Sequence, residues 1–246
     1  LNWTYSDART TCDRHVFFKY MVKTLAEQRG YTATFMPKPF SHITGSGGHV
    51  HNSLWQGETN CFADGADAAG LSPLGYHFVG GVLDHAKGLT ALFAPTVNSY
   101  RRLGASTTAS GSTWSPRYIS YGGNNRSHMI RIPEAGRFEC RLIDGSANLY
   151  LATAGLLTAG LEGIKQKTTP GERIDENLFA RGAEFPDLDT LPTNLHEALS
   201  ALKQDALLIE MLGDLGTQTF FEFKEKEWAA FCAQITDWEI NQYVNI

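Results

Sequence analysis

The segment MIRIPEAGRFECRLI, residues 129–143, constrains the fold most, because its apolar and charged residues alternate on both sides of a turn sequence. Period-two alternation on both sides of PEAG predicts two short strands joined by that turn. Successive side chains of a strand point to opposite faces. One face of the second strand therefore carries Arg137, Glu139, Arg141 and Ile143, and the other carries Phe138, Cys140 and Leu142. The charged face is either a solvated ion-pair ladder or a ligand-binding surface, and the pattern leaves both open.

A further strand is predicted at HVHNSLW, directly after the glycines of GSGG. Alternation places His49, His51, Ser53 and Trp55 on one face of it. The glycines allow the backbone to approach a ligand closely, or they form a simple turn. Each histidine taken alone is more typical of a packed or surface residue than of a metal ligand. The two histidines and the neighbouring glycines, taken together, leave a role in ligand binding open.

Helical patterns surround these strands. The first helix is predicted from about Ser6, as N-cap, to Arg29, with Gly30 ending it. Further helices are predicted at residues 71–95, ended by a proline, and then at 147–164, 194–212 and 219–244. The stretch YTATFMPKPF reads as β-rich, 104–123 as a long Gly/Ser/Thr-rich loop, and EFPDLDTLP as a linker. The fold class is therefore α+β, with the strands in the middle of the chain.

Composition excludes several classes of function. The 246 residues carry a net charge of -5, which gives no electrostatic footprint for nucleic acid or a membrane surface. The four cysteines are scattered without a CxxC pair, as in a protein with reduced thiols. The apolar run ANLYLATAGLLTAGLEGI is rich in small residues and contains Glu162, so a buried helix is favoured over a membrane span. No signal peptide is visible, and we expect a cytoplasmic protein.

Arginines gather around the charged strand. Arg101 and Arg102 precede the long loop, and Arg126 and Arg131 follow it. Guanidinium groups bind carboxylates and phosphates through paired hydrogen bonds. Such arginines, with one glutamate and two histidines, indicate anionic ligands around a divalent metal, either Mg²⁺ or Mn²⁺.

At these residues the sequence resembles the glutamine synthetase family. ATFMPKPFSHITGSGGHVHNSL is similar to the family's ATFMPKP…GSGMHxHxSL signature, with Gly48 in place of Met. NNRSHMIRIP is similar to ARNRSxxIRIP. RFECRLIDGSANLYLATAGLLTAGLEGI is similar to RxEVRxPDxSANPYLAxAAxLxAGLDGI, with Leu149 in place of Pro. FFKYMVK and ENLF extend the match over most of the chain, and the motifs follow in the family's order.

The resemblance implies a fold, a reaction and a role for each matching residue. The fold is a curved antiparallel sheet flanked by helices. ATP phosphorylates the γ-carboxylate of glutamate, and an amine then displaces phosphate to form an amide. The implied metal ligands are His49 and Glu139; glutamate is bound by Thr44, Gly45, Arg102 and Arg141; ATP is bound by His51, Asn52, Ser53, Arg126, Arg131 and Arg137; and Arg126 acts on the transferred phosphate.

The loop after Arg102 departs from the usual family pattern. Glutamine synthetases carry a PGYE-like flap there, whereas GASTTASGSTWSP is longer and lacks an acidic residue. It resembles the branch described as type III-like glutamine synthetase or γ-glutamylmethylamide synthetase. Methylamine or another small amine is therefore an alternative to ammonia as the acceptor.

The resemblance also implies a further domain and further metal ligands that residues 1–246 do not contain. The family has an N-terminal β-grasp domain and further metal-binding glutamates, one of them placed just before the segment that matches LNWTY. We therefore expect residues 1–246 to be the C-terminal part of the catalytic domain, inactive alone, within a parent that forms rings of identical subunits.

Two alternatives belong to other classes of protein. A non-catalytic structural relative would keep the fold without the chemistry, but it would have no reason to retain His49, Arg126, Glu139 and Arg141 together. A guanidine kinase on a related fold would lack the GSGGH sequence. The pattern therefore favours the ligase.

Overall fold

The computed structural model describes residues 2–104 and 114–246. Its longer helices are α1 (Ala8–Glu27), α2 (Pro73–Asp84), α3 (Ala86–Phe93), α5 (Leu149–Gln166), α7 (Leu195–Gln204), α8 (Ala206–Cys232) and α9 (Asp237–Tyr243); α4 (Ser99–Arg102) and α6 (Leu178–Arg181) are single turns. The strands are β1 (Val50–Asn52), β2 (Trp55–Gln56), β3 (Thr59–Asn60), β4 (Tyr121–Gly122), β5 (Ile130–Glu134) and β6 (Arg137–Cys140). The fold class is α+β, as predicted. Of the predicted long loop, residues 105–113 lie outside the described part.

A four-stranded sheet in the order β1-β6-β5-β4 forms the centre of the molecule. The pairs β1–β6 and β5–β6 are antiparallel, as expected. The pair β4–β5 is parallel, so the sheet is mixed where the resemblance implied an antiparallel one. Residues 123–129 fold back between β4 and β5, held by the Asn125 amide, which donates to the carbonyls of Asp175 and Glu176. β5 and β6 are joined at Gly136, where the turn needs a φ of 76°.

The N-cap of α1 is Asp7 and not the predicted Ser6. The Asp7 carboxylate accepts from the Thr10 backbone N–H at 2.9 Å, and hydrogen bonding to the Thr10 side chain and then to this N–H lowers the pKa of Asp7. The helix ends at Glu27, two residues before the predicted Arg29, and Gly30 then adopts a φ of 74° that an L side chain disfavours.

The predicted β-rich stretch at residues 31–40 forms no strand. Pro37 and Pro39 remove two backbone donors that a sheet ladder would need. The segment is held by a side chain: the Lys38 N–H donates to Asn98 Oδ1 at 2.8 Å, and Asn98 Nδ2 donates to the Lys38 carbonyl at 2.9 Å. The Pro37 carbonyl also accepts from the Ser46 N–H at 2.7 Å, which ties this segment to the site described below.

Helices α2, α3 and α5 cover the buried face of the sheet and form the core with it. The predicted helix at residues 71–95 is divided at His85, the residue between α2 and α3. The small-residue helix predicted at 147–164 is α5, and it packs tightly on α2. A Cβ on Gly81 would lie 2.1 Å from the Ala159 carbonyl oxygen, so a glycine is required at this crossing.

The C-terminal region has three helices where the sequence predicted two. α8 bends at Gly213, whose φ of 68° and ψ of 171° are not helical, and a separate α9 begins after the N-cap Thr236. The predicted linker is held on the molecule, since the Ile119 N–H donates to the Asp189 carbonyl at 2.8 Å. No helix in the described ranges is long and apolar enough to cross a membrane. Cys12, Cys61, Cys140 and Cys232 are free thiols.

His85 and Asp205 connect the α2–α3 corner to the start of α8. His85 Nδ1 lies 2.7 Å from Asp205 Oδ2, while Asp205 Oδ1 accepts from the Leu208 N–H at 3.1 Å. The hydrogen bond with Asp205 raises the pKa of His85, against the opposing effect of burial. The pair therefore stabilises the fold most when His85 is protonated.

We expect the stabilisation from His85 to be full below a pH of about 6.5, the pKa of an unfolded histidine. Because the folded pKa is raised, this contribution is lost as the pH rises through the folded pKa. The difference in unfolding free energy between the wild type and His85→Gln, measured in urea, should be larger at acidic than at alkaline pH. A difference that stays constant with pH would contradict the assignment.

Candidate active site

Three neighbouring strands place a histidine, a glutamate and an arginine in one row across the sheet. His51 of β1 and Arg131 of β5 are both the cross-strand partners of Glu139 on β6. Directly opposed residues share a face of the sheet. Arg131 donates from a terminal nitrogen to Glu139 Oε2 at 2.7 Å, and His51 Nε2 lies 3.9 Å from Glu139 Oε1. The opposite face of β6 carries Phe138 and Cys140 into the core, as alternation predicted.

His49 and Arg141 complete the group around Glu139. His49 Nδ1 lies 3.0 Å from Glu139 Oε1, and Arg141 donates to the same oxygen at 2.8 Å. His49 precedes β1 and Arg141 follows β6, so both lie where the paired strands end. Arg141 is held from two further sides, because it donates to the carbonyls of Arg126 at 3.2 Å and Trp114 at 3.0 Å.

This cluster is not a solvated ion-pair ladder. Glu139 is 4% exposed and Arg141 is 3% exposed. Burial favours the neutral acid, but the hydrogen bonds from His49 and Arg131 and the charge of Arg141 outweigh it and lower the pKa of Glu139 well below its ordinary value. Glu139 is therefore a carboxylate at neutral pH, and a buried charge of this kind is stable only while its partners remain in place.

Both histidines are held in their neutral form. Burial lowers the pKa of His49, and the charges of Arg141 and Arg102 lower it further. The hydrogen bond with Glu139 and the charge of Glu139 raise it. Burial also lowers the pKa of His51, which is flanked by Arg137 and Arg131. A neutral imidazole is the form that binds a metal ion.

The donor chemistry of His49 and Glu139 fits the divalent metal that the sequence implied. A carboxylate and a neutral imidazole suit Mn²⁺, and the carboxylate suits Mg²⁺ as well. No group of three or more His, Cys, Asp or Glu side chains within residues 2–104 and 114–246 is arranged to hold a metal ion. These two side chains are therefore a partial ligand set, to which water and phosphate oxygens would add.

The glycine strip, residues 45–48, packs tightly behind the cluster. A Cβ on Gly45 would lie 2.7 Å from the Pro37 carbonyl oxygen, and one on Gly47 would lie 2.6 Å from His49 Nε2. Gly48, where the family motif has Met, donates its N–H to the Ile143 carbonyl at 2.9 Å. The glycines therefore serve close packing against the site and not only a turn.

Arg102, predicted to bind glutamate, is 2% exposed beneath this strip. Its two terminal nitrogens donate to the carbonyls of Leu142 at 3.0 Å and Arg141 at 2.9 Å. Burial lowers the pKa of Arg102 to about 10, so it stays charged at neutral pH. In this geometry Arg102 supports the backbone of Arg141, and its contact with glutamate remains a prediction. Thr44, the other predicted glutamate contact, directly precedes the strip.

The predicted phosphate and nucleotide arginines lie on the open side of the cluster. Arg126 is exposed in the 123–129 connection. A terminal nitrogen of Arg137 lies 2.7 Å from His51 Nδ1, and Arg137 Nε donates to Glu134 Oε1 at 2.7 Å. Arg131 reaches Glu139 from the same side. The structure thus brings cationic groups to one rim, next to the buried carboxylate.

Asn52 and Ser53 lie apart from the cluster. Asn52 is on the other face of β1 from His51 and donates to the Val50 carbonyl at 3.2 Å. Ser53 accepts a hydrogen bond from the Trp55 indole at 2.8 Å. Their predicted contact with ATP remains a prediction.

Sequence reasoning missed two supporting residues. Asn124 Oδ1 accepts from Arg131 Nε at 3.0 Å, and the buried Lys38 ammonium donates to the Ile43 carbonyl beside the glycine strip. Both belong to motifs quoted above, NNRSHMIRIP and MPKP, but neither residue type by itself indicated a contact with the site.

The site is a buried carboxylate with an adjacent imidazole, facing a rim of arginines, and such groups suit anionic ligands and a divalent metal ion. The comparison with family models identifies the family: residues 1–243 match the glutamine synthetase catalytic domain. The chain belongs to the glutamine synthetase family.

Relatives within this family carry two different names. The chain is 47% identical to a glutamine synthetase of Rhizobium meliloti over 97% of its length and 55% of the relative's. It is 44% identical to a glutamate–methylamine ligase of Methyloversatilis universalis over 99% of its length and 56% of the relative's. A solved structure described as a GmaS/ADP complex superimposes with a TM-score of 0.94 at 50% identity, covering all of this chain and 56% of the other. The chain thus spans just over half the length of these relatives.

Proposed function

We propose that this chain carries the metal, glutamate and phosphate sites of an ATP-dependent ligase that joins glutamate to ammonia through γ-glutamyl phosphate. The observation that carries the proposal is the buried Glu139 carboxylate between His49, Arg131 and Arg141, in a chain that matches this family's catalytic domain. A non-catalytic relative would have no use for a buried charge that destabilises the fold unless every partner is kept.

Phosphoryl transfer needs positioning and charge neutralisation more than covalent help from the protein. Glu139 and His49 would hold a Mg²⁺ or Mn²⁺ ion, which neutralises phosphate charge when bound. Arg126 would stabilise the transferred phosphoryl group, while Arg131 and Arg137 would bind the nucleotide phosphates. Arg141 and Arg102, with the backbone of Thr44 and Gly45, would orient glutamate, and His51, Asn52 and Ser53 would line the rest of the ATP site.

A second candidate for the acceptor is methylamine or another small amine. Two observations favour it: the similarity to a glutamate–methylamine ligase and to GmaS structures, and the absence of an acidic residue from GASTTASGSTWSP. Turnover of the full-length protein with ammonium and with methylamine, both at saturating ATP and glutamate, distinguishes the two. A strong preference for ammonium removes this candidate, and a strong preference for methylamine makes it the function.

We also propose that residues 1–246 are the C-terminal part of the catalytic domain and are inactive alone. The partial ligand set at His49 and Glu139 supports this, because a metal held by two protein side chains would bind weakly. Amide formation from ATP, glutamate and either amine, measured on the purified 246-residue chain, should be undetectable. Detectable synthesis would refute the proposal.

From the similarity to the glutamine synthetase family, we also propose that the full-length protein assembles into rings of identical subunits. Apolar side chains exposed on α1 support it, since contiguous apolar patches on soluble proteins mark interaction surfaces; they are Val16, Phe17, Tyr20, Met21 and Leu25. Light scattering coupled to size exclusion gives the oligomer mass, and a monomer would contradict this proposal. The cytoplasmic location and the lack of nucleic-acid and membrane partners stay predictions from the sequence.

A further inference from the structure

A cleft of about 360 Å³ lies outside the Glu139 cluster, and no residue of that cluster lines it. It is defined here as the lysine cleft and is lined by parts of α1, the segment 33–37, residues 96–98, Gly145, Ser146 and Glu227. None of these residues has a role in the ligase reaction proposed above. Two of the lining side chains, Lys19 and Lys23, are cations from successive turns of α1.

The charge of the cleft is unbalanced. Lys19 and Lys23 are spaced i, i+4, so their charges face the same side of the helix and repel each other. Burial and then the charge of Lys23 lower the pKa of Lys19, while the charge of Asp144 acts in the opposite direction. The carboxylate in the lining, Glu227, is already engaged, because it accepts from the Val97 N–H at 3.0 Å and from Lys224 at 2.8 Å. A small anion between the lysines would relieve their repulsion.

Lys19 is held in position to bind such an anion. Its ammonium donates to the Gly145 carbonyl at 2.7 Å and lies 5.4 Å from the centre of the Phe35 ring. An ammonium has three N–H donors, and among the described residues the one hydrogen bond of the Lys19 ammonium goes to Gly145, which leaves capacity for a ligand. Lys23 is exposed at the rim, where it can close on the same ligand.

The walls of the lysine cleft are also the supports of the glycine strip. Pro37 lines the cleft and accepts the N–H of Ser46 at 2.7 Å. Gly145 lines the cleft and follows Asp144, which forms a β-bridge with Gly47. A ligand that orders these two walls would therefore order the backbone beside His49.

We propose that the lysine cleft binds a small carboxylate or phosphate anion and that its occupancy orders the glycine strip. The proposed binding of an anion is supported by the geometry of the cleft alone. The consequence for catalysis rests on the proposed function, because it acts through the strip that lines the glutamate site.

Binding is tested by calorimetric titration of the full-length protein with malonate and, separately, with inorganic phosphate. Both probes can also bind the arginines of the candidate active site, so each titration is repeated in Arg126→Gln to identify that contribution. Lys23→Gln and Lys19→Gln each remove one cation of the cleft. Lys165→Gln, at an exposed position on α5, is the matched control for loss of a surface lysine.

We expect saturable binding that survives Arg126→Gln, weakens about tenfold in Lys23→Gln and in Lys19→Gln, and is unchanged in Lys165→Gln. The tighter of the two probes identifies a carboxylate or a phosphate ligand. Binding that is lost in Arg126→Gln and unaffected by both cleft variants would overturn the proposal while leaving the ligase function intact. Absence of any saturable binding to the cleft would overturn it as well.

Coupling is measured by hydrogen exchange of residues 44–48 with and without the tighter probe, in the Arg126→Gln background. We expect slower exchange with the probe present, and no such change in the double variant with Lys23→Gln. Exchange that does not respond to a bound anion would contradict the coupling part of the proposal.

Discussion

Replacing Glu139 with glutamine is expected to lower the glutamate-dependent ATP turnover of the full-length protein by about 100- to 1000-fold. The substitution keeps the shape of the side chain but removes the negative charge that faces His49, Arg131 and Arg141. One of the two proposed metal ligands loses its charge, and two arginines lose their common counter-ion. The free energy of unfolding should fall by about 3 kcal/mol, since breaking a buried ion pair leaves its partners uncompensated.

Glu134→Gln is the matched control for this experiment. Glu134 also pairs with an arginine, Arg137, at 2.7 Å, but its side chain is 65% exposed. An exposed ion pair contributes little, so this variant should lose no more than about 1 kcal/mol of stability. Comparable losses of activity and stability in the two variants would contradict the special role given to the buried carboxylate.

Replacing Gly47 with alanine is expected to reduce activity about 100-fold with only a small loss of stability. The new Cβ would lie 2.6 Å from His49 Nε2 and 3.0 Å from an Arg102 nitrogen. These atoms are the ends of side chains, so the fold can adjust by moving them. Moving His49 displaces a proposed metal ligand, and a displacement of about 1 Å is enough to impair catalysis strongly.

Gly65→Ala separates this steric effect from the general effect of a glycine substitution. A Cβ on Gly65 would meet no atom of the described residues within 4 Å. The activity of Gly65→Ala should therefore equal that of the wild type. Thermal unfolding and steady-state turnover of both variants complete the comparison. If Gly47→Ala retained full activity, the tight packing of the glycine strip against His49 would have no functional consequence.

Alternation along the strands predicted the central part of the site well. The period of two placed Glu139 and Arg141 on one face of a strand and Phe138 and Cys140 on the other, and the structure confirms this division. The α+β class and the turn at Gly136 were predicted for the same reason, since local backbone preferences and side-chain periodicity determine them.

Properties that depend on distant contacts were not predictable. At residues 31–40 the two prolines are a local signal against a strand, but the contact that holds the segment is distant, because Asn98 takes the backbone hydrogen bonds of Lys38. The burial of Arg102 depends on carbonyl groups at 141 and 142. The parallel pairing of β4 with β5 depends on how residues 123–129 fold back against Asp175. None of these contacts has a local pattern in the sequence.

The proposed function requires that γ-glutamyl phosphate form before the amine arrives, and rapid-quench measurement of ADP detects this step. The full-length protein is mixed with ATP, Mg²⁺ or Mn²⁺ and glutamate, without ammonium or methylamine. We predict a burst approaching one ADP per active site that requires glutamate and is absent in Glu139→Gln. ADP that appears only after an amine is added, or a burst that persists without glutamate, would contradict the account.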